Sequence, residues 1–176
     1  MKPDVSLTIT TPDQITFIDK PYSGAKAYTC ARLRQAGFQV PDGVVVLATA
    51  TDGDVATVPE HPWFDTVPAN TLFAVRSSGI GEDSAGQSFA GIHQTLLDVP
   101  RADLPRAVTA CRASALSPQA LEYRRAKGLP LDAIQMGVLI QCMIHPIAAG
   151  VAFTVNPVSG AGYELVINSA WGVGEA

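Results

Sequence analysis

The chain has 176 residues, 47% of them hydrophobic and 16% charged, with a net charge of −4. Such a length fits one domain, with room for two small lobes, and the apolar share can build a packed core, which excludes a disordered chain. The net negative charge argues against simple electrostatic binding of nucleic acid, and no apolar stretch approaches the roughly 18 to 20 residues needed to cross a bilayer.

Two β-branched runs near the start, Leu7-Thr8-Ile9-Thr10 and Ile15-Thr16-Phe17-Ile18, read as short strands. Residues 23–37 read as a helix, with Ser23 as N-cap and Gly37 just past the C-cap. Ala27, Cys30, Ala31 and Arg34 lie along one side of it, a narrow stripe that permits close packing. Val40-Pro41-Asp42-Gly43 is a turn, and Val44-Val45-Val46-Leu47 a short buried strand. Residues 51–70 carry Pro59, Pro62, Pro68 and Gly53, the composition of an irregular connection or a lobe boundary.

The apolar run Thr71-Leu72-Phe73-Ala74-Val75 meets Arg76, the only Lys or Arg between Arg34 and Arg101. A loop rich in Ser and Gly follows over 77–88, then a second strand over 93–99. A core strand ending in a permanent cation, with small hydroxyl and glycine residues after it, suits an anion such as a nucleotide phosphate. Glycines let the backbone approach, successive amides form an anion-binding nest, and Arg adds a planar fork of donors. On chemistry alone, an Arg at a strand end more often meets water or pairs with a carboxylate.

Two helices come next. The first has Asp103 as its cap and Leu104, Val108, Cys111 and Ala115 at helical spacing. The second opens at Ser117-Pro118 and closes with Arg124, Arg125 and Lys127 before Gly128. Three strands complete the chain, at 136–144, at 150–156 (stopped by Pro157) and at 164–170. No Lys or Arg follows Lys127, so this last stretch reads as sheet buried against other structure. Cys30, Cys111 and Cys142 are odd in number and far apart, which fits free thiols in a reducing compartment. The opening Met1-Lys2-Pro3-Asp4-Val5-Ser6 has no apolar signal core, so the expected location is the cytoplasm.

Four patterns occur in order: Gly24-Ala25-Lys26-Ala27 at a helix start; Val75-Arg76-Ser77-Ser78 with Glu82-Asp83, then Ser88-Phe89-Ala90-Gly91; Gln141 followed by Gly150-Val151-Ala152-Phe153-Thr154-Val155-Asn156-Pro157; and Asn168-Ser169-Ala170-Trp171-Gly172-Val173-Gly174-Glu175. Together, from about Ser23 onward, they resemble the N-terminal nucleotide-binding domain of the pyruvate phosphate dikinase and phosphoenolpyruvate synthase family. The resemblance implies an α+β fold: an ATP-grasp-like nucleotide-binding domain, two lobes of mixed sheet and helices, incomplete at the C-terminus. Residues 1–176 would then be a single partial domain with lobe junctions near 51–70 and 128–145.

It also implies a function, the transfer of a phosphoryl group from ATP to a histidine on a separate swivelling domain, present in cis or in trans. By matching motif, Lys26 would reach ATP phosphate and Arg76 would hold phosphate and neutralise charge developing in transfer. Gly91 and Thr95 would lie along a glycine-bearing lid, and Gln141 near the adenine at the lobe junction. Taken alone, Lys26 reads as a solvated helix residue. The segment between Lys26 and Arg76 is 49 residues, short for the family, which implies a reduced helical insertion. Ligands for Mg are expected beyond residue 176, so this chain alone would not complete a catalytic cycle. Two other readings stand beside this one: a degenerate non-catalytic regulatory or scaffold module, and the nucleotide domain of a rifampicin-type antibiotic phosphotransferase.

Overall fold

A computed structural model describes residues 8–80, 94–131 and 134–174. The chain divides into two compact units, residues 1–143 and 144–176.

In the first unit, five strands form one sheet: β1 (Ile9–Thr10), β2 (Gly43–Val46), β3 (Leu72–Gly79), β4 (Thr95–Pro100) and β5 (Met136–Cys142), in the spatial order β1-β2-β5-β3-β4. Each pairing is antiparallel. The sheet is covered on both faces, so its central strands read as continuous apolar runs: Val44, Val45, Val46, Leu139 and Ile140 are all fully buried.

Alternation along the strands sorts side chains between the faces. Val44, Val46, Phe73, Val75, Val138 and Ile140 face one layer, built from helix α2 (Asp52–Ala56), the turns around Val58 and Phe64, and helix α3 (Leu104–Ala113). Residues 51–70 thus supply Val55, Val58 and Phe64 to this core. On α3 the anticipated stripe holds, with Leu104, Val108 and Cys111 fully buried. Ser117 accepts a hydrogen bond from the Ala120 amide and so caps helix α4 (Pro118–Ala126), whereas Asp103 makes no side-chain cap at α3.

Val45, Leu47 and Leu139 face the opposite layer, helix α1 (Lys20–Gln35), whose Ala27 and Ala31 are fully buried. Two alanines let the helix axis lie close to the sheet. Gly37 ends α1 as anticipated: its φ is +87°, and Phe38 N–H donates to Leu33 O at 3.0 Å while Gly37 N–H donates to Arg34 O at 2.9 Å.

Three local expectations are corrected. Residues 15–18 do not form a strand. Ile15 is buried, but Phe17 and Ile18 are exposed in a tight turn closed by Asp19 accepting from Thr16. Arg76 does not end its strand, because β3 runs on to Gly79. Ser23 does not cap the long helix, because α1 is broken at Gly24 (φ 76°, ψ 166°), and the regular helix restarts at Ala25.

The second unit contains a hairpin of β6 (Ala148–Phe153) and β7 (Val166–Trp171), paired antiparallel from Ala148–Trp171 to Phe153–Val166. Asn156 turns the chain after β6: its side-chain oxygen accepts from the Val158 and Ser159 amides, and its amide donates to Glu164 at 2.6 Å. Val151, Phe153, Ile167 and Trp171 are exposed on this hairpin. No helix among the described residues is long and apolar enough to cross a membrane.

The break in α1 generates a stability prediction. Gly24 occupies a backbone region that only glycine enters readily, and a Cβ there would lie 2.0 Å from Ser78 O. Gly24→Ala is expected to destabilise by more than about 3 kcal/mol, combining strain with a backbone collision. Gly37→Ala, where nothing lies within 4 Å, should cost only about 1 kcal/mol. Chemical denaturation of both variants measures this, and equal losses would contradict it.

The Cys111 thiol gives a second prediction, in pH. Burial pushes its pKa up to about 11, against a lesser pull downward from Lys26. The unfolded chain releases this proton in the ordinary thiol range while the folded protein holds it. The associated stability is therefore full below that range and lost as pH climbs through about 11. Urea titrations from neutral to alkaline pH should show a shallower alkaline decline for Cys111→Ala than for the parent protein. An equally steep decline would contradict the assignment.

Candidate functional site

The site is built where two of the sequence patterns interlock. On β3, alternate residues point to opposite faces: Val75 and Ser77 toward α3, Arg76 and Ser78 toward α1. Ser77 keeps its hydroxyl for the sheet, donating to Gln94 O at 2.9 Å. Ser78 Oγ accepts from the Ala27 amide at 2.9 Å. Ala27 is the third residue of the restarted helix, so its amide has no partner within the helix. The capping hydroxyl therefore comes from a strand 51 residues away rather than from the residue before the helix. This contact requires Gly24 to sit directly against the Ser78 backbone. It also requires Gly137, opposite Ser78 on β5, where a Cβ would lie 2.4 Å from Ser23 O.

The restarted helix carries Lys26 in its first turn. Its side chain turns to the strand and donates from Nζ to Ser77 O at 2.7 Å. The amine is thus one peptide from Arg76 in the chain direction of β3. Arg76 lies in a cross-strand row, Val45–Leu139–Arg76–Thr95, on the face that α1 covers. Thr95 is its exposed neighbour on β4. Gln141 sits diagonally across on β5 and accepts from Arg76 Nη1 at 3.5 Å. Among the described residues no carboxylate pairs with Arg76. The guanidinium is half-buried, and a neutral amide is its one hydrogen-bond partner there.

Cys30 registers both cations. It stands one turn after Lys26 on α1, half-buried. Burial raises its thiol pKa, and the positive charges of Arg76 and then Lys26 oppose that rise. Arg76 faces α1 from the sheet, and Lys26 reaches from the first turn of that helix to the strand that carries Arg76.

The structure brings together Lys26, Arg76, Thr95 and Gln141. Gln141 is 4% exposed with both ends of its amide engaged, Oε1 by Arg76 and Nε2 by Pro41 O at 3.3 Å, so its side chain is turned into the protein. Gly91 and the lid assigned to it lie outside the described residues. Sequence reasoning missed Ser78 and Gly24 as a pair. The signal that could have found them is the Gly-Ala-Lys-Ala pattern, whose first residue is a glycine where a capping Ser or Asp is the common choice.

Chemically, the arrangement fits a phosphate chain. It offers a lysine amine, an arginine fork with no carboxylate partner among the described residues, and the positive end of a helix. Among the described residues no group of three or more His, Cys, Asp or Glu could hold a metal ion. Two grooves of about 360 and 480 Å³ flank α3, and neither is lined by Lys26 or Arg76.

Residues 63–176 match the family model described as the pyruvate phosphate dikinase AMP/ATP-binding domain. A rifampicin phosphotransferase from Streptomyces is 34% identical across 93% of this chain, which covers 18% of that protein. The phosphoenolpyruvate synthase of Pyrococcus furiosus is 40% identical across 58% of this chain, covering 13% of its own length. A prodigiosin synthesizing transferase from Serratia marcescens is 41% identical across 58% of this chain and covered over 11%. The chain therefore spans less than a fifth of the length of these relatives. With the matched model extending over well more than half of it, this α+β chain belongs to the pyruvate phosphate dikinase AMP/ATP-binding domain family.

Proposed function

We propose that this chain is the ATP-binding part of a phosphotransferase, an ATP-grasp-like domain that presents the terminal phosphoryl group to a histidine on a separate domain. The observation that carries the reading is the half-buried Arg76, without a carboxylate among the described residues, on the same side of the sheet as Lys26. A guanidinium withdrawn from water and answered by a neutral amide is costly, and a phosphate would offset that cost. Phosphoryl transfer asks the protein for positioning and charge stabilisation more than for covalent chemistry. Lys26 and Arg76, on two different elements, would grip the triphosphate from two sides. Thr95 flanks Arg76 and would line the same tail. Magnesium would supply further charge neutralisation.

The acceptor of the phosphoryl group divides two readings. The phosphoenolpyruvate synthases match this chain over little more than half its length, as does one rifampicin phosphotransferase, whereas another rifampicin phosphotransferase matches across 93% of it. That extent favours an antibiotic phosphotransferase as the second reading. Both share the nucleotide site and differ in what receives the phosphoryl group.

Calorimetric titration with ATP tests the shared reading. Arg76→Ala and Lys26→Ala are each expected to lose on the order of 1.5–3 kcal/mol of binding free energy, the worth of a charge-assisted hydrogen bond. Unchanged affinity in both variants sinks it.

The Cys30 thiol offers an independent check. Because Arg76 and Lys26 hold its pKa down against burial, removing either cation should move the pH midpoint of its alkylation upward. An anion that neutralises the pair should do the same in the parent protein. A downward shift in either experiment would contradict the placement of the two charges.

A further inference from the structure

We propose that Gln141 is a positioning residue that orients Arg76 for phosphate, and that it does not read the adenine; the inference rests on the nucleotide-site reading above. The side chain is 4% exposed and lies between a group that can only accept and a group that can only donate. Pro41 O takes a hydrogen bond from Nε2 at 3.3 Å, which fixes the amide so that Oε1 must face Arg76, 3.5 Å from Nη1. Reversing the amide would set carbonyl against carbonyl and amide hydrogens against a cation. The orientation is therefore set by chemistry at both ends.

The anchor at Pro41 is itself held. Strand β2 begins at Gly43, opposite Gln141, and a Cβ there would lie 1.9 Å from Ile140 O and 2.9 Å from Gln141 Cα. That close approach carries residues 41–43 against β5, where Cys142 N–H donates to Asp42 O at 2.7 Å. From the other side, Arg34 in the last turn of α1 donates to Val40 O at 3.2 Å and pairs with Asp42. A continuous path runs from the end of α1 through the Val40–Asp42 turn and the Gln141 amide to the guanidinium. A neutral amide suits this post: it directs the fork without cancelling the charge that phosphate needs, as a carboxylate would.

Two ligands that share no chemistry test the proposal, tripolyphosphate for the tail and adenosine for the base. Gln141→Met should weaken tripolyphosphate about three- to tenfold, leave adenosine unchanged, and have no further effect on tripolyphosphate in an Arg76→Ala background. Weaker adenosine binding, or an equal loss without Arg76, overturns it. Gln141→Glu, a second variant, should also weaken tripolyphosphate, because the new carboxylate competes for Arg76.

A ligand-free readout keeps this inference separable from the nucleotide reading. ¹⁵N NMR of the Arg76 guanidinium should show restricted rotation in the parent protein, faster rotation in Gln141→Met and slower rotation in Gln141→Glu. If the parent protein binds neither ATP nor tripolyphosphate, the nucleotide reading falls and takes the phosphate role of Gln141 with it. If ATP binds but guanidinium rotation is the same in all three proteins, the positioning role alone falls.

Discussion

The contact between Gly24 and Ser78 is the constraint from which the site follows. A helix and a strand usually meet through side chains, but here their backbones meet, because Gly24 has none and its conformation excludes one. That approach lets the Ser78 hydroxyl cap the restarted helix and lets Lys26 reach the Ser77 carbonyl. Any larger residue at position 24 would lift the helix away from the sheet, uncapping it and withdrawing the amine from Arg76 in one displacement. Fold stability and site geometry are thus joined at a single point.

The electrostatics follow from that geometry. A helix start, an ammonium and a guanidinium share one side of a sheet; Lys26 donates to a peptide carbonyl and Arg76 to an amide. Three carboxylates of the unit form structural pairs, Asp13 and Asp42 with Arg34, and Asp65 with Arg101. Among the described residues Arg34 and Arg101 hold carboxylates while Arg76 meets an amide, a distribution that suits an anionic ligand at β3.

Much of this was legible in the sequence, and the parts that were not share a cause. The buried runs at 44–47 and 136–142, the stripe on α3, the Ser117-Pro118 start and the Gly37 stop are local signals, and they stand as read. Arg76 and Lys26 stood out as isolated cations in motifs. The course of β3 past Arg76 was not legible, because Ser77-Ser78-Gly79 has turn composition. Its serines are satisfied by partners 17 and 51 residues distant, which override local preference. The helix break at Gly24 escaped for the same reason: Ser23 carries the right chemistry for a cap, yet the partner that decides lies on another element. Gln141, joined to Pro41 across 100 residues and to Arg76 across 65, is the extreme case.

The central claim is that Lys26 and Arg76 converge on one triphosphate. A crystal structure of this chain grown with a non-hydrolysable ATP analogue measures it most directly. The account predicts oxygens of the same triphosphate tail within hydrogen-bond distance of both Lys26 Nζ and the Arg76 guanidinium, with the helix still broken at Gly24. A nucleotide bound with its phosphates against only one of the two, or bound on the α3 side of the sheet, would contradict it.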